Sequence, residues 1–307
     1  MNEKHPTVSI VIPTYNRAQI LPLALQSVLS QTYQDIEVII VDDASTDNTG
    51  EVVQSIKDER IRYIRHPENK GGSAARNTGI RASRGEFIAF QDSDDEWLQD
   101  KLQKQMEAIQ KGEPETDIVY TGFYKEQENK RIYIPAHNIK KKEGDILGQL
   151  LRENFVATPT VLARKRDLEK VGMFDETLPR YQDWELAIRL AKQYTFRCVD
   201  EPLLIAHRVD NSISTNQSVV GTALRIILEK HHDTILSAGK EMLARWYFSV
   251  GTVLCQSGDM EEGGQLIARA IKTFPFNPRF WPSFIIVRFL GRDLYMKFVN
   301  LYLYFRK

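Results

Sequence analysis

The sequence predicts an α/β protein with a doubly wound, mostly parallel sheet, followed by an all-helical C-terminal region. Over residues 8–111, short apolar runs alternate with segments whose apolar residues recur at helical spacing. Such alternation is typical of strand–helix–strand units that build a parallel sheet through right-handed crossovers. From about Gln217 the alternation stops, and the spacing of apolar residues is helical to the end.

Four continuous apolar runs predict the buried strands of this sheet, because strands covered on both faces need apolar residues throughout. These runs cover residues 8–13, 36–41, 61–64 and 87–90. Helical spacing predicts helices over 18–31, 73–83 and 98–111, with a further one around Val52, Val53 and Ile56.

Residues 117–211 keep a mixed pattern. Strands are predicted over 118–124, 159–163 and 203–206, a short helix over 168–171, and a longer helix that begins near Tyr181. We expect Arg189 in this longer helix to pair with Glu185, four positions earlier.

Composition and charge exclude several classes of protein. A hydrophobic content of 42% and a charged content of 27% are ordinary for a soluble globular chain. Lys+Arg and Asp+Glu both number 41, so the basic excess of a nucleic-acid binder is missing. Cys198 and Cys255 have neither metal nor redox spacing, which fits a reducing compartment.

The N-terminal residues contain no apolar segment of the kind that a signal peptide needs. No run reaches the roughly 18 apolar residues that a transmembrane helix requires. We therefore expect a cytoplasmic protein.

Three of the predicted strands end in polar residues: 14–16, 42–43 and 92–95. In a parallel sheet these ends converge on one edge, where ligands bind. Asp92, Asp94 and Asp95 repel one another unless a cation lies among them, and oxygen ligands favour Mg²⁺ or Mn²⁺. The alternative is a loop that caps the next helix. Capping needs one oxygen per helix and does not explain repeated carboxylate pairs at one edge.

The C-terminal region is predicted to contain helices over 223–235, 241–256 and 261–273. The spacing of Tyr247, Gly251, Ile267, Ala270 and Pro275 resembles one tetratricopeptide hairpin. A single unit cannot form a solenoid, so a helical appendage is the favoured interpretation.

The last predicted helix is amphipathic. Its apolar side carries Leu294, Phe298, Leu301, Tyr302 and Phe305, and Arg292, Lys297, Arg306 and Lys307 flank it. Such a helix covers a core or lies in a membrane interface, here at the inner face of the membrane. The first interpretation is favoured and the second stays open.

Five motifs in the first 215 residues resemble those of inverting glycosyltransferases of family 2, which have the GT-A fold. The motifs cover residues 8–16, 41–47, 69–77, 91–95 and 182–185, in the order of the family. The resemblance implies a GT-A domain over 1–215, with a nucleotide-binding half of about 1–115 and an acceptor half of 116–215. The helical region then covers 216–307.

The resemblance also implies a nucleotide site. Pro13, Thr14 and Tyr15 are expected to bind the nucleotide, with the Tyr15 ring against the base. Asp43 is expected to accept a hydrogen bond from a uracil ring nitrogen, and Arg76 to contact the nucleotide.

The implied metal site contains Asp92 and Asp94, an Asp-x-Asp motif that holds the ribose and Mn²⁺ or Mg²⁺. We expect Asp94 on the metal and Asp92 towards the ribose, with Asp95 as a further candidate ligand. Family members often have an Arg-x-His segment later in the chain, and here Asp210 stands where that His is expected. Either Asp210 or His207 is a candidate for an additional ligand.

Asp183 matches the general base of the family. Diphosphate is a good leaving group, so the chemistry needs one base for the incoming hydroxyl, opposite the leaving group. The alternative role for Asp183 is a helix N-cap, and the other motifs favour the base. The family has Glu before this residue and the chain has Gln182, which removes a nearby charge. The other histidines show no ligand spacing and are interpreted as surface residues; they are His5, His66, His137, His231 and His232.

The expected activity is metal-dependent, inverting transfer of a hexosyl or N-acetylhexosaminyl group from a nucleotide-sugar donor, UDP-linked by the resemblance. The acceptor is a hydroxyl on a glycan, a lipid-linked glycan or a protein, in cell-surface polysaccharide or glycan synthesis. One alternative is a sugar-phosphate nucleotidyltransferase, but the loop 13–17 lacks the Gly-rich, basic character that a triphosphate needs. The other is a non-catalytic nucleotide-sugar-binding module that acts through its helical tail; intact Asp92, Asp94 and Asp183 count against it.

Overall fold

A computed structural model describes residues 5–111, 117–127, 130–207, 219–291 and 293–297. The chain divides into two compact units. The first contains Met1–Thr177 and Gln182–Asp210, and the second contains Leu178–Tyr181 and Asn211–Lys307. The first unit is α/β, and the described part of the second is helical.

A nine-stranded sheet forms the centre of the first unit as the structure describes it. Its strands are β1 (Val8–Thr14), β2 (Ile36–Asp42), β3 (Ile61–Arg65), β4 (Phe87–Phe90), β5 (Asp95–Trp97), β6 (Asp117–Gln127), β7 (Lys130–Ile134), β8 (Val161–Arg164) and β9 (Thr195–Ala206). They lie in the order β3-β2-β1-β4-β8-β6-β9-β5, and β7 pairs with β6. The helices of this unit are α1 (Leu21–Leu29), α2 (Thr49–Ser55), α3 (Gly72–Ala82), α4 (Lys101–Lys111), α5 (Leu147–Leu150), α6 (Lys165–Lys170) and α7 (Gln182–Ala191).

The N-terminal half of the sheet is parallel, as predicted. Strand β1 pairs in parallel with β2 and β4, and β2 pairs in parallel with β3. Ile10 and Ile40 belong to the core cluster that includes Leu25 of α1, whereas Ile39 belongs to the cluster that includes Ala75 of α3. Helices therefore cover both faces of the sheet, which explains the continuous apolar runs.

The C-terminal half of the sheet is mixed and differs in detail from the sequence prediction. Strand β8 is antiparallel to β4 and β6, whereas β6 and β9 are parallel. Strands β5 and β7 were not predicted, and β9 begins eight residues before the predicted 203. Strand β5 takes up Asp95–Trp97 by pairing with β9, so α4 begins at Lys101 rather than at 98. A three-residue strand that begins with two carboxylates carries no recognisable β pattern, because tertiary pairing alone defines it.

The parallel register brings the ends of β1, β2 and β4 to one edge of the sheet. Thr14 stands opposite Asp42 at the ends of β1 and β2. The backbone N–H of Asp43 donates to the Thr14 carbonyl at 2.9 Å, and that of Gln91 donates to the Val11 carbonyl at 3.0 Å. The loops that carry the polar residues after β1, β2 and β4 therefore begin next to one another at this edge of the sheet.

The second unit is helical, as predicted. Its elements are α8 (Val220–Lys230), α9 (His232–Ser237), α10 (Lys240–Ser257), α11 (Met260–Thr273), α12 (Phe280–Ile285), a π-helical turn (Ile286–Leu290) and a helical stretch over 293–297. The single helix predicted over 223–235 is two helices that meet at His231, which is buried. The interpretation of His231 as a surface residue was therefore wrong.

Helices α10 and α11 approach closely at two glycines. A side chain at Gly251 would place its Cβ 2.6 Å from the Gly263 carbonyl oxygen, and one at Gly263 would lie 2.5 Å from the Cys255 sulfur. Asp259 caps α11 by accepting a hydrogen bond from the Glu262 N–H at 3.0 Å.

Within the part of the chain that the structure describes, no helix has the length and apolar character needed to cross a membrane. Most of the predicted last helix, from Phe298 onwards, lies outside the described residues.

Helix α3 carries Arg76, one of the predicted site residues. Gly79 sets the distance between this helix and β1. A Cβ at Gly79 would lie 2.3 Å from Cγ1 of Val11 in the core of the sheet. We expect Gly79→Ala to lower the free energy of unfolding by about 1–3 kcal/mol, because overpacking forces the helix away from the strand. Urea unfolding measures this change. Gly148→Ala is the control, because no atom lies within 4 Å of its Cβ position. Equal stability of the two variants would contradict the packing argument.

Candidate active site

The loops after β1 and β2 are held together by side chains at the strand ends. The N–H of Asn16 donates to the Ser45 hydroxyl at 2.9 Å, and the Asn16 side-chain carbonyl accepts from the Thr46 N–H at 2.7 Å. Asn16 (φ 52°) and Ala44 (φ 65°) both adopt left-handed backbone conformations. Ala pays an energetic penalty in that region, and such strained residues cluster at functional sites.

The three residues predicted to bind a nucleotide after β1 are placed beside this loop pair. Pro13 is half-buried, and Tyr15 is 43% exposed. Thr14 is buried, and its hydroxyl has no hydrogen-bond partner among the described residues. A buried polar atom without a partner is unusual in a folded protein and is consistent with a ligand contact.

Asp43 is buried and its carboxylate is largely occupied by the protein. Its Oδ1 accepts from the Lys70 N–H at 2.9 Å and lies 2.7 Å from Nδ1 of His66, and its Oδ2 accepts from the Gly71 N–H at 2.7 Å. These contacts hold the loop before α3 against the end of β2. One of about four acceptor positions of the carboxylate remains for a ligand.

His66 is buried rather than exposed, so its interpretation as a surface residue was wrong. Its Nδ1 contacts Asp43, and its Nε2 lies 2.9 Å from the Thr78 hydroxyl. The imidazole thus links the carboxylate at the end of β2 to helix α3. This role was not predictable from the sequence, because His66 shows no ligand spacing with other residues.

The carboxylates after β4 are crowded. Asp95 is buried, and burial together with the charges of Asp92 and Asp94 raises its pKa well above the ordinary value. Burial and then the charge of Asp92 also raise the pKa of Asp94, against the opposing effect of Arg17. These groups resist simultaneous ionisation, as like charges in a shared site do.

Two arginines supply positive charge to this cluster. The Arg76 guanidinium contacts Asp92 at 2.5 Å and lies 5.5 Å from the centre of the Phe174 ring. The Arg17 guanidinium lies 3.9 Å from Asp94. Arg76 was predicted to belong to the site, whereas Arg17 was not. The position of Arg17 in the loop that follows β1 could have identified it as a site residue.

The cluster is not a closed metal cage. Among the residues that the structure describes, no three His, Cys, Asp or Glu side chains converge on one point. Mg²⁺ commonly binds through one or two carboxylates and completes its shell with water and substrate phosphates. The oxygen-only donor set of Asp92, Asp94 and Asp95, whose negative charge Arg76 and Arg17 offset only in part, fits a divalent cation of that kind.

His207, a candidate for an additional ligand, is engaged by the protein. Its backbone N–H donates to the Asp95 carboxylate, and its ring lies between Glu126 (2.9 Å from Nδ1) and Glu96 (3.4 Å from Nε2). In this arrangement the ring contacts two glutamates. The other candidate, Asp210, lies outside the described residues.

Asp183 lies in the first turn of α7, one residue inside the helix rather than at its N-cap. Its Oδ1 accepts from the Trp184 N–H at 2.8 Å, and its Oδ2 accepts from the Asn154 side-chain amide at 3.0 Å. Burial raises the pKa of Asp183; the charge of Arg76 lowers it, and that of Asp92 raises it. The charges of Arg76 and Asp92 therefore affect the ionisation of this carboxylate.

Asp183 lines an apolar pocket. The lining residues are Phe90, Val156, Thr158, Val161, Phe174, Leu186, Ala187, Leu190 and Phe196, and Asp183 is the charged member of the set. An apolar surrounding disfavours the ionised carboxylate and strengthens it as a base. Glu185 does not share the site, because it is buried in the predicted ion pair with Arg189 at 2.6 Å.

Asn77 joins α3 to the segment that carries Phe174. Its side-chain amide donates to the Phe174 carbonyl at 2.9 Å and to Glu176 at 2.7 Å, and its side-chain carbonyl accepts from the Phe174 N–H at 2.9 Å. The Phe174 ring packs edge-on against Phe90 at 5.3 Å and lies beside Arg76. Asn77 therefore fixes the segment whose Phe174 ring packs beside Arg76.

Comparison with known proteins agrees with the predicted family and fold. A sheet with carboxylates at its strand tips, followed by helices, is the GT-A arrangement predicted from the sequence. The model of the family described as "Glycosyl transferase family 2" matches residues 9–172, and the chain belongs to this family. The predicted family and fold are thus confirmed.

The chain is also similar to individual curated relatives. It is 31% identical over 225 residues to the "Putative teichuronic acid biosynthesis glycosyltransferase TuaG" of Bacillus subtilis, covering 71% of this chain and 85% of TuaG. The chain spans only 32% of the length of two curated glycosyltransferases from Rickettsia.

Two solved structures share the fold. One is S. aureus TarS 1–349 in complex with UDP-GlcNAc, with a TM-score of 0.68, 20% identity, and coverage of 94% of this chain and 89% of that one. The other is a mannosyltransferase from Pyrobaculum calidifontis with GDP-Man and Mn²⁺, with a TM-score of 0.58, 18% identity, and coverage of 93% and 85%.

The Asn77 contacts generate a prediction about stability. We expect Asn77→Ala to lower the free energy of unfolding by about 1–3 kcal/mol, because it leaves buried backbone groups of Phe174 without partners. Urea unfolding provides the measurement. Asn48→Ala is the matched control, since Asn48 is exposed and forms no side-chain cap. A loss no larger than that of the control would contradict the role given to Asn77.

Proposed function

We propose that this chain transfers a sugar from a nucleotide diphosphate donor, UDP-linked, to a hydroxyl acceptor with inversion at the anomeric carbon. The observation that carries the proposal is the position of Asp183 on a pocket that Phe90 and Phe174 also line. The Phe174 ring lies 5.5 Å from the Arg76 guanidinium, which pairs with Asp92. A lone carboxylate with a raised pKa stands beside an acidic and arginine-bearing edge, although helix α7 is remote in sequence. Family membership and the UDP-GlcNAc complex of TarS support the same activity.

Asp183 acts as the general base in this proposal. Its carboxylate accepts the proton of the acceptor hydroxyl while that oxygen forms a bond to the anomeric carbon. The bond between this carbon and the diphosphate oxygen breaks, and its electron pair leaves with the diphosphate. The proton stays on Asp183. The hydrogen bonds from Asn154 and Trp184 orient the carboxylate, and the apolar pocket keeps its pKa raised.

The nucleotide binds along the ends of β1 and β2. The unpartnered Thr14 hydroxyl and the exposed Tyr15 ring face the ligand, with Pro13 shaping the turn. Asp43 uses its remaining acceptor position for the uracil ring nitrogen, and His66 fixes the carboxylate plane. A GDP-linked donor, as in the mannosyltransferase complex, is the competing possibility that a donor panel resolves.

Asp94 would hold a divalent cation, Mn²⁺ or Mg²⁺, with Asp92 on the ribose side and Asp95 as a further candidate ligand. A bound cation supplies Lewis-acid stabilisation of the charge on the departing diphosphate. Arg76 and Arg17 add fixed positive charge at the same edge. They position the phosphates and offset the repulsion among the carboxylates.

The acceptor is a hydroxyl of a growing glycan, free, lipid-linked or protein-linked. The name of TuaG, a putative teichuronic acid biosynthesis glycosyltransferase, favours polysaccharide synthesis. Sugar-phosphate nucleotidyl transfer is disfavoured because the turn after β1 is braced by Asn16 and Ser45 and carries no run of glycines.

Hydrolysis of a panel of UDP-, GDP- and dTDP-sugars in the presence of Mn²⁺ tests the proposed transfer reaction. Absence of turnover and of nucleotide binding across the panel would reject it.

Removal of the base generates the sharpest kinetic prediction. We expect Asp183→Asn to lower kcat by ~10²–10⁴-fold, the usual contribution of general acid–base catalysis. Donor binding, measured by calorimetry with UDP, should change little, since the base faces the acceptor. Full activity in this variant would show that another group takes the proton.

The pH profile follows from the raised pKa of Asp183. The base works only when ionised, so kcat should fall as pH drops through the pKa of Asp183. Because burial raises this pKa above its ordinary 3.8, the acidic limb should lie above pH 3.8. The control for the pH profile is Glu153→Gln, a change at an exposed side chain. Glu185→Gln is not suitable, because Glu185 is buried in the ion pair with Arg189. An acidic limb at or below pH 3.8 would contradict the assignment.

Cation binding is tested without turnover. We expect Mn²⁺ to raise Tm, and to raise it further with UDP present, because a ligand that binds only the folded state stabilises it. Asp94→Asn should abolish the Mn²⁺ shift, whereas Asp100→Asn, at an exposed site, should keep it. An unchanged shift in Asp94→Asn would exclude Asp94 as a ligand.

A further inference from the structure

The second unit carries an exposed apolar surface that the proposed transfer reaction does not use. Phe276 is 84% exposed and Phe289 is 72% exposed, and Trp281 and Ile285 are exposed at 43% and 47%. We call these four residues, together with Arg288, the aromatic-basic surface. Clustered exposure of large apolar side chains marks an interaction site rather than ordinary surface.

Helical geometry places most of this surface on one side. Trp281, Ile285 and Phe289 follow at intervals of four residues along α12 and the π-helical turn, and Arg288 is seven residues after Trp281. Residues four and seven apart lie on the same face of a helix. Phe276 is fixed next to this face, because the Trp281 ring N–H donates to the Pro275 carbonyl at 3.1 Å.

The segment that contains the surface is strongly basic. Residues 272–307 include seven Lys or Arg (Lys272, Arg279, Arg288, Arg292, Lys297, Arg306 and Lys307) and one acidic residue, Asp293. The excess is therefore 7 − 1 = 6 positive charges, in a chain whose formal net charge is zero. Eleven of these 36 residues are aromatic, whereas aromatics make up 10% of the whole chain.

The described basic side chains of this segment are available for a partner. Lys272, Arg279, Arg288 and Lys297 are exposed, and none forms an ion pair with another described residue. By contrast, Arg225 and Arg245 on α8 and α10 pair with glutamates of their own helices. Within the described part of the chain, these four positive charges are therefore not compensated by ion pairs, and Arg279 and Arg288 belong to the same segment as the exposed aromatic residues.

We propose that the aromatic-basic surface binds the anionic surface of a lipid bilayer. Aromatic rings and long apolar side chains enter the boundary between headgroups and acyl chains, and basic residues contact anionic headgroups. Arg288 on the apolar face suits this place, because its stem can stay among apolar groups while the guanidinium reaches the headgroups. This contact is peripheral, in agreement with the lack of a membrane-crossing helix in the described part of the chain.

The charge decides between a bilayer and a second copy of this chain. Two copies that met through this surface would bring together two patches of excess positive charge, which repel each other. An anionic bilayer compensates the same charge and accepts the aromatic side chains. The surface differs from the predicted last helix, since it lies upstream, at residues 276–289.

Co-sedimentation of the whole chain with vesicles tests the proposal without any nucleotide or acceptor. One set of vesicles contains phosphatidylcholine and phosphatidylglycerol in equal parts, and the other contains phosphatidylcholine alone. We expect binding to the anionic vesicles, weaker binding to the neutral ones, and partial release as salt screens the headgroup charge. Because donor hydrolysis is measured separately, failure here leaves the proposed transfer reaction untouched.

Two variants separate the apolar and the basic contributions. Ile285→Ser combined with Phe289→Ser removes exposed apolar groups, and Arg279→Glu combined with Arg288→Glu reverses two charges. Each pair should weaken binding to anionic vesicles by roughly tenfold or more. Circular dichroism checks that both variants are folded, as expected for changes at exposed positions.

Leu236→Ser and Lys240→Glu are the matched controls, because Leu236 is 40% exposed and Lys240 is exposed elsewhere in the same unit. Binding by the controls but not by the two surface variants supports the proposal. Equal binding by all variants, or no binding to anionic vesicles, overturns it. A concentration-dependent dimer that Phe289→Ser dissolves, without vesicle binding, assigns the surface to a second copy and also overturns it.

Discussion

The crowding of carboxylates at one edge of a parallel sheet is the constraint on which the site depends. The register that sets Thr14 opposite Asp42 makes neighbouring strands end together, so the polar residues after them must share one small region. Burial and mutual repulsion then raise the pKa values of Asp94 and Asp95. Such an arrangement persists only with positive charge close by, and Arg17 and Arg76 supply part of it.

Much of the surrounding structure maintains that region at a fixed shape. Asn16 ties the first two strand-end loops together, and Asp43 holds the loop before α3 through two backbone N–H groups. Asn77 fixes the Phe174 segment beneath Arg76. Asp183, on helix α7, is oriented by Asn154. Side chains supported in this way can hold a geometry that flexible loops alone cannot.

The parts predictable from the sequence were those governed by local pattern. The buried parallel strands have continuous apolar runs, and the order of five motifs identified the family and the fold. Strand β5 depends on pairing with β9, and the burial of His66 depends on Asp43 and Thr78, which no local pattern encodes. Lys101 shows the same limit: its position in an amphipathic helix suggests solvent, yet it is fully buried with its amine 3.8 Å from the centre of the Trp97 ring.

The stereochemistry of donor hydrolysis tests the central claim most directly. With Mn²⁺ and an α-linked UDP-sugar that the chain hydrolyses, proton NMR can identify the anomer released before mutarotation. A base that acts from the side opposite the diphosphate activates water as it would an acceptor hydroxyl, so the first product is expected to be the β-anomer. Initial release of the α-anomer would contradict the single-base, inverting arrangement that we assign to Asp183 and the acidic edge.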